Sequence, residues 1–284
     1  MKKIGLFVFF ALLCGCVSDN QTAVDLTIPT DDTPAPGDDS PVVPASCVPS
    51  DLETSLLASY NFAEGSLLDG SGNNNNLAVV TVAIPAMADR NGNENCALRF
   101  NGTDYLKVPD ITFLQNVNKF SISVWFNASS GWLNNDAATR QERFFLVGYT
   151  NELWYGNTYR RSFYVGQYDC SRVFTGNGSG EVWESETSFP IEFNDEGCGM
   201  NRVGIWYHVV VNFDSDANIY ELYVNGVQTD TSNAPVTYNQ YFNMVYEVFI
   251  GKGMFGGLDD MFIFNKVLNQ QEVESLYNLL PCCN

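Results

Sequence analysis

At 284 residues, with 45% hydrophobic and 14% aromatic content, the chain is long enough for one large or two small domains with a well-packed core. Its formal net charge is −19 and its isoelectric point is near 4.1. Such a surface would repel a phosphate backbone and has no basic footprint for nucleic acid, whereas neutral ligands and divalent cations are compatible with it.

The N-terminal segment, residues 1–16, reads MKKIGLFVFFALLCGC and has the layout of a secretory signal: two lysines, an apolar run, and a small residue before a cysteine. Its last four residues resemble a bacterial lipobox, in which Cys16 is acylated and becomes the mature N-terminus. This resemblance implies a lipoprotein of the Bacteroidetes type, exported and lipid-anchored to the outer membrane at the cell surface. The alternative is a plain cleaved signal in which Cys14 and Cys16 are incidental.

Residues 17–46 form an acidic, Pro/Thr-rich segment with six Asp, five Pro and no Lys or Arg. A segment of this composition cannot bury enough apolar surface to order itself, so we predict a disordered tether. No later stretch is long and apolar enough to span a bilayer, so the membrane contact would be made by the lipid alone. The folded domain is then expected over residues 47–284.

Six cysteines lie in this domain, an even number in an exported chain, which indicates up to three disulfides rather than a zinc site. Cys170 and Cys198 enclose one loop-rich stretch and are expected to pair. Cys47 would meet Cys282 or Cys283 if the two ends of the domain lie side by side, which leaves Cys96 for the other terminal cysteine. A vicinal bond between Cys282 and Cys283 is the strained alternative.

Short alternating runs separated by turn signals predict an all-β domain with antiparallel strands. In KFSISVWFN (119–127), apolar residues such as Phe120 and Val124 share one face, and Trp125 lies on the other with two serines. WYHVVVNFD (206–214) predicts a second half-buried strand. Asn225-Gly226, between two alternating runs, is the strongest short-range hairpin signal in the chain.

One helix is predicted near the C-terminus. Asn269 is placed to cap it, and Glu272 lies three residues on as the partner of a capping box. Its apolar stripe would comprise Val273, Leu276, Tyr277 and Leu280.

Together these segments resemble the laminin G-like, concanavalin A-like jelly-roll domains of the LamG-like lectin/glucanase superfamily, over about residues 54–280. The matching segments are SYNFAEGSLLDGSGNNNN, CALRFNGTDYLKVPD, FSISVWF, WYHVVVNFD with LYVNGV, and GGLDDMFIFNKVLNQQEVESLY. The resemblance implies an antiparallel jelly-roll sandwich with one short C-terminal helix and with its first and last strands adjacent. A long aromatic insertion between residues 129 and 204 departs from the family pattern.

The family resemblance also implies a calcium site. Asp259 resembles a calcium ligand of the family, together with Asp69 and Asn73 of the opening loop, and carboxylate, amide and backbone oxygens are the ligands that Ca²⁺ prefers. The ion would be structural. The alternative is that Asp69 and the asparagines build an ordinary turn, and that Asp259 accepts bonds from loop N–H groups. Strand alternation would place Asp259 and Asp260 on opposite faces of the last strand.

The aromatic insertion is the predicted ligand site. Flat sugar faces stack on aromatic rings, while sugar hydroxyls need amide, carboxylate or guanidinium partners, and such groups concentrate on loops. The candidate residues are Trp132, Trp154, Tyr155, Tyr159, Arg160 and Trp183. The alternative is that these aromatic residues pack over a sheet edge as a small additional core.

Catalysis is not expected. The chain has one histidine, His208, so a serine–histidine mechanism lacks support. In EVWESE (181–186), Trp183 replaces the middle aspartate of the glucanase pattern that this segment resembles. The sequence therefore predicts a non-catalytic carbohydrate-binding or adhesive module of a cell-envelope lipoprotein, with a glycan or polysaccharide ligand and possible envelope protein partners. A structural or protein-binding scaffold is the alternative.

Overall fold

The computed structural model describes residues 47–115, 117–129, 142–154, 158–168, 172–176, 187–190, 204–214, 216–217, 219–233 and 245–283. The predicted signal, lipobox cysteine and tether lie outside these residues, as does the predicted pair of Cys170 and Cys198. Among the described residues, neither α-helix has the length and apolarity that crossing a bilayer would require.

Within the described ranges, two α-helices, α1 (Ser50–Glu53) and α2 (Gln270–Tyr277), flank the strands in the chain. The strands are β1 (Leu56–Tyr60), β2 (Ala78–Val79), β3 (Ala86–Met87), β4 (Ala97–Asn101), β5 (Leu106–Val108), β6 (Lys119–Ala128), β7 (Glu142–Trp154), β8 (Thr158–Tyr168), β9 (Arg172–Gly176), β10 (Thr187–Pro190), β11 (Trp206–Asp214), β12 (Ile219–Val224), β13 (Val227–Asn233), β14 (Val245–Ile250) and β15 (Phe255–Phe264).

The strands form two antiparallel sheets, which confirms the predicted all-β sandwich. The first sheet has eight strands, in the order β13-β12-β11-β6-β15-β4-β3, with β1 also paired to β15. The second has seven, in the order β10-β9-β8-β7-β14-β5-β2. The predicted neighbourhood of the first and last strands is confirmed, because Tyr60 of β1 lies opposite Met261 of β15.

The main core lies between the sheets and is built from the alternating apolar residues of the strands. The predicted inward face of β6 is confirmed, because Phe120, Ile122, Val124 and Phe126 are all buried in this cluster. On β11, Val209, Val211 and Phe213 join it. Burying one such aliphatic or aromatic side chain contributes roughly 1.5–3 kcal/mol.

Local signals set the turns and the C-terminal helix as predicted. The β12–β13 hairpin turns at Asn225 and Gly226, whose φ values of 50° and 81° require residues that tolerate the left-handed region. Asn269 and Glu272 form the complete capping box at the start of α2. Val273 and Leu276 are buried, but Leu280 lies beyond the helix and is 74% exposed. The predicted stripe was therefore wrong at its end, because the helix stops before Leu280 is reached.

The two terminal segments of the domain cover the outer face of the first sheet. Leu52 of α1 and Leu276 of α2 pack there with Phe262 and Phe264 of β15 in a second apolar cluster. Helix α1 was not predicted, since its four residues are too few to show a 3.6-residue period.

Two disulfides join the terminal segments of the domain. Cys47 is bonded to Cys282, with their Cα atoms 5.6 Å apart, and Cys96 is bonded to Cys283, with theirs 5.5 Å apart. The expectation that Cys47 takes one terminal cysteine and Cys96 the other is confirmed. The vicinal alternative is excluded by these pairings.

Candidate functional site

A β-bulge in β15 brings both carboxylates of the Asp259–Asp260 pair to the outer face of the first sheet. Asp259 lies opposite Trp125 of β6, but the next pair is Phe262 with Ser123, so β15 carries one extra residue. Asp260 absorbs the bulge with φ at 40°. The predicted placement of the pair on opposite faces was wrong, because strand alternation does not continue through a bulge.

Arg90 holds the two carboxylates. Its Nη1 lies 2.7 Å from Oδ2 of Asp259 and 2.7 Å from Oδ2 of Asp260, and its Nη2 donates to the Leu279 carbonyl at 2.9 Å. The guanidinium also lies over the Trp125 ring, 4.6 Å from its centroid. Asp260 in turn accepts a bond from the Cys282 N–H at 3.2 Å. One buried arginine therefore joins β15, β6 and the C-terminal segment.

The two carboxyl groups are buried next to each other and have too few hydrogen-bond donors around them. Burial raises the pKa of the Asp259 carboxyl well above its ordinary value, and the adjacent Asp260 raises it further against the opposing effect of Arg90. Burial likewise raises the pKa of Asp260 to about 6, with Arg90 opposing. Among the described residues, the buried Oδ1 atoms of both have no hydrogen-bond partner. A proton on the pair relieves the cost of burying two charges beside one cation.

The stability of the domain should consequently fall as the pH rises from 5 to 8. Because the folded-state pKa of Asp260, about 6, exceeds the value of about 3.9 for an unfolded aspartate, the folded protein binds this proton more tightly. The stabilisation is complete below the unfolded-state pKa and is lost as the pH rises through the folded-state value. We expect a loss on the order of 2 kcal/mol, measured by urea unfolding at the two pH values. Asp259→Asn should flatten this dependence, and an equally steep curve for that variant would contradict the assignment.

The other predicted calcium ligands form a turn. The Asp69 carboxylate accepts four hydrogen bonds, from the backbone N–H groups of Ser59, Ser71 and Asn75 and from the Ser71 hydroxyl, at 2.8–2.9 Å. The Asn73 amide donates to the carbonyls of Leu56 and Leu57. These bonds match the turn at Asp69 in the alternative and fix the loop onto β1, whereas the described side-chain partner of Asp259 is Arg90.

As placed, this set does not fit a calcium ion. No described hydrogen bond or ion pair joins Asp69 or Asn73 to Asp259, and Arg90 already supplies the positive charge beside Asp259. In the described part of the chain, the one group of potential metal-ligating side chains that lie close together is Cys47, Asp260 and Cys282, and the two sulfurs are bonded in a disulfide. Calcium binding stays a prediction of the sequence. A melting temperature that is the same in calcium and in EDTA is expected from this arrangement, and a higher one in calcium would contradict it.

An open groove of about 560 Å³ lies beside this cluster, on the outer face of the first sheet. We call it the aromatic groove; it is lined by Arg90, Asn91, Trp125, Trp206, Tyr277 and the chain from 278 to 281. Its volume falls within the range of roughly 300–1,000 Å³ that is typical of small-ligand sites.

The aromatic rings of the groove are fixed before any ligand arrives. Trp206 lies against Gly257, where an added Cβ would come within 2.7 Å of the indole Cη2. Trp125 is stacked on Tyr277, with ring centroids 5.7 Å apart and planes 16° from parallel, and is 5.1 Å from His208. Such pre-ordered rings lose little conformational entropy on binding.

His208 supports this arrangement from within the sheet. It is buried, and its ring nitrogen Nε2 shares a hydrogen bond of 2.8 Å with the Ser123 hydroxyl. Burial lowers the pKa of His208 to about 3, and the Arg90 charge lowers it further. The ring is therefore neutral at physiological pH and packs under Trp125.

The predicted ligand residues are not among the described lining residues of the groove. Trp132, Tyr155 and Trp183 lie outside the described residues. The structure describes only the backbone of Trp154, Tyr159 and Arg160, which lies near the closed end of the β7–β8 hairpin. There Trp154 lies opposite Thr158, and Leu153 lies opposite Tyr159.

Three of the groove residues, Trp125, Trp206 and Tyr277, were present in the quoted motifs but were not identified as a site. Trp125 is a large aromatic residue on the serine-bearing face of an alternating strand, and this was the available signal for a site on the outer face. Arg90 and Tyr277 gave no signal, because their contacts join distant parts of the chain.

The family described as the concanavalin A-like lectin/glucanases superfamily matches residues 100–274. The chain belongs to this family. A comparison of the sequence with curated proteins finds no match.

Solved structures with the same fold include binding domains of bacterial toxins. The binding domain of Paraclostridial Mosquitocidal Protein 1 is 19% identical with a TM-score of 0.59, and it is matched over 80% of this chain and 52% of its own. The binding domain of Botulinum neurotoxin DC, in complex with rat synaptotagmin II, is 16% identical with a TM-score of 0.56 over the same shares of the two chains. That toxin domain has also been solved in complex with SialylT, at 15% identity and a TM-score of 0.55. The chain thus spans about half the length of the solved chains it matches, and at these identities the likeness shows the fold.

Proposed function

We propose that this protein is a non-catalytic carbohydrate-binding or adhesive module of a cell-envelope lipoprotein, and that it binds sugar in the aromatic groove. The observation that carries the proposal is the rigid pair of aromatic surfaces, Trp206 on Gly257 and Tyr277 on Trp125, at an open groove. The C–H faces of a sugar ring are apolar and pack on such rings, while amide groups such as Asn91 reach its hydroxyls.

The chemistry of the described residues favours binding over catalysis. A general base needs a pKa near the working pH and an accessible lone pair. His208 is buried with its pKa lowered to about 3, and the Asp259–Asp260 pair is engaged by Arg90 beneath the groove. The toxin domains that share the fold are named as binding domains, which also supports a binding role.

The cell-envelope part of the proposal depends on residues 1–46. Acylation of Cys16 would hold the domain at the membrane through the tether, since acyl chains bind membranes by their buried area. Detection of a lipid-modified N-terminus by mass spectrometry of the protein from its host tests this part separately.

Replacing Trp206 with leucine should weaken glycan binding roughly tenfold or more, since truncating a central aromatic contact typically costs at least about 1.4 kcal/mol. Leucine keeps an apolar contact on Gly257 but removes the flat ring. The measurement is binding of the full exported chain to a glycan array, followed by titration of the best ligand.

The matched control is Tyr246→Leu, which removes an aromatic ring that is 62% exposed on β14 of the other sheet. It should leave binding unchanged. Glycan binding that is indifferent to Trp206 would refute the site, and an array without any bound glycan would favour the scaffold or protein-binding alternative.

A further inference from the structure

Among its described lining residues, the aromatic groove has aromatic rings but no available positive charge. Resting on the proposed function, we infer that the groove selects uncharged sugar rings and rejects sialylated, uronic or sulfated ones.

Arg90 is the one cation among the described lining residues, and its charge is already engaged. Its Nη1 donates to both carboxylates at 2.7 Å, and its Nη2 donates to the Leu279 carbonyl. One face of the guanidinium is stacked on Trp125, and 7% of the side chain is exposed. Recognition of a sugar carboxylate or sulfate by arginine normally uses two parallel N–H donors. Because so little of Arg90 is exposed and its charge faces two buried carboxylates, it offers an anionic sugar little net attraction.

The charge around Arg90 is negative rather than positive. The Asp259–Asp260 pair offsets the charge of Arg90 even when it carries one proton, and the buried carboxylate of Asp89, which accepts from the N–H groups of Asn91 and Asn93, lies next to Arg90 in the chain. The whole chain carries a net charge of −19. An anionic sugar entering the groove would meet repulsion over the Debye length of about 8 Å at physiological salt, without a paired cation to offset it.

The other lining groups suit a neutral ring. Trp206 and Tyr277 offer apolar ring surface, and Tyr277 is 36% exposed. Asn91 and Asn278 supply amides, and the chain from 278 to 281 supplies backbone groups. A site of this kind gains its specificity from hydrogen bonds to hydroxyls, and an added charge without a partner is penalised.

The test uses the full exported chain on an array in which each neutral oligosaccharide is paired with its sialylated and its 6-sulfated form. We expect the neutral member of a bound pair to be preferred by tenfold or more in 50 mM salt. The preference should shrink in 1 M salt, where the repulsion is screened. Trp206→Leu should abolish binding of the neutral member.

A charge variant supplies the matched control. Asn91→Lys places a free ammonium on an exposed lining residue whose described hydrogen bond is made by its backbone N–H. It should raise the affinity for the sialylated or sulfated member at least fivefold relative to the neutral member of the same pair, and an unchanged ratio would contradict the inference.

The possible failures are distinguishable. Preferred binding of the anionic member that still depends on Trp206 would overturn the ligand class and leave the proposed function standing. An array without any bound glycan would overturn both.

Discussion

Replacing Arg90 with methionine should lower the free energy of unfolding by about 3–5 kcal/mol, because it leaves two carboxylates buried without their cation. Each carboxylate has 1% of its side chain exposed, and Arg90 is the ion-pair partner of both. Methionine keeps much of the apolar volume of the arginine stem, so the loss reports the charge. The measurement is urea unfolding at pH 8, above the pKa of about 6 of the Asp260 carboxyl in the unchanged protein.

The control for Arg90→Met also removes the two carboxylate charges that this substitution would leave buried without a cation. Combining it with Asp259→Asn and Asp260→Asn should restore a large part of the lost stability. Asparagine tolerates the left-handed backbone of position 260, where φ is 40°. A triple variant as unstable as Arg90→Met alone would show that the arginine acts by packing on Trp125 rather than by neutralising the pair.

Removing the Cys47–Cys282 bond should cost a comparable amount. The bond closes a loop with a sequence separation of 235 residues, and for loops of this length the chain-entropy model gives on the order of 5 kcal/mol, of which engineered cases commonly deliver about 2–4. The paired variant Cys47→Ser, Cys282→Ser avoids a stray thiol. Its free energy of unfolding should be compared with that of the oxidised protein.

The second disulfide provides the comparison for the first. Cys96→Ser with Cys283→Ser opens a loop with a separation of 187 residues, so the entropic loss should be similar. The Cys282 variant should in addition weaken glycan binding, since Cys282 follows the segment that walls the groove and its N–H binds Asp260. A loss below about 1 kcal/mol for both pairs would mean that packing alone holds the ends together.

The parts of the fold that depend on neighbours in sequence were predictable. The alternation of apolar and polar residues identified β6 and β11. The Asn225-Gly226 pair identified a turn in which both φ values are positive, and the spacing of Asn269 and Glu272 identified the start of α2. In each case the residues that make the structure lie within one strand, turn or helical turn of each other.

The candidate site was not predictable by the same means. Arg90 is separated from Asp259 and Asp260 by 169 and 170 positions in the chain. The residues around Arg90 in the sequence contain no pattern that indicates these partners. The bulge at Asp260 is a single-residue irregularity that the period-2 pattern conceals. Asp69 is a second example, since its carboxylate suits a calcium loop and a turn equally well, and the three backbone N–H groups that bind it become visible only in the structure.

The adjoining disulfides also determine how the domain would carry mechanical load. A pull applied at Cys47 passes through Cys282 and Cys283 to Cys96, which immediately precedes β4. Tension therefore enters the first sheet through covalent bonds at β4, and β1 is not peeled from β15 one hydrogen bond at a time. A domain held by its N-terminal side against flow would keep its groove intact until a sulfur–sulfur bond or the whole sheet gave way.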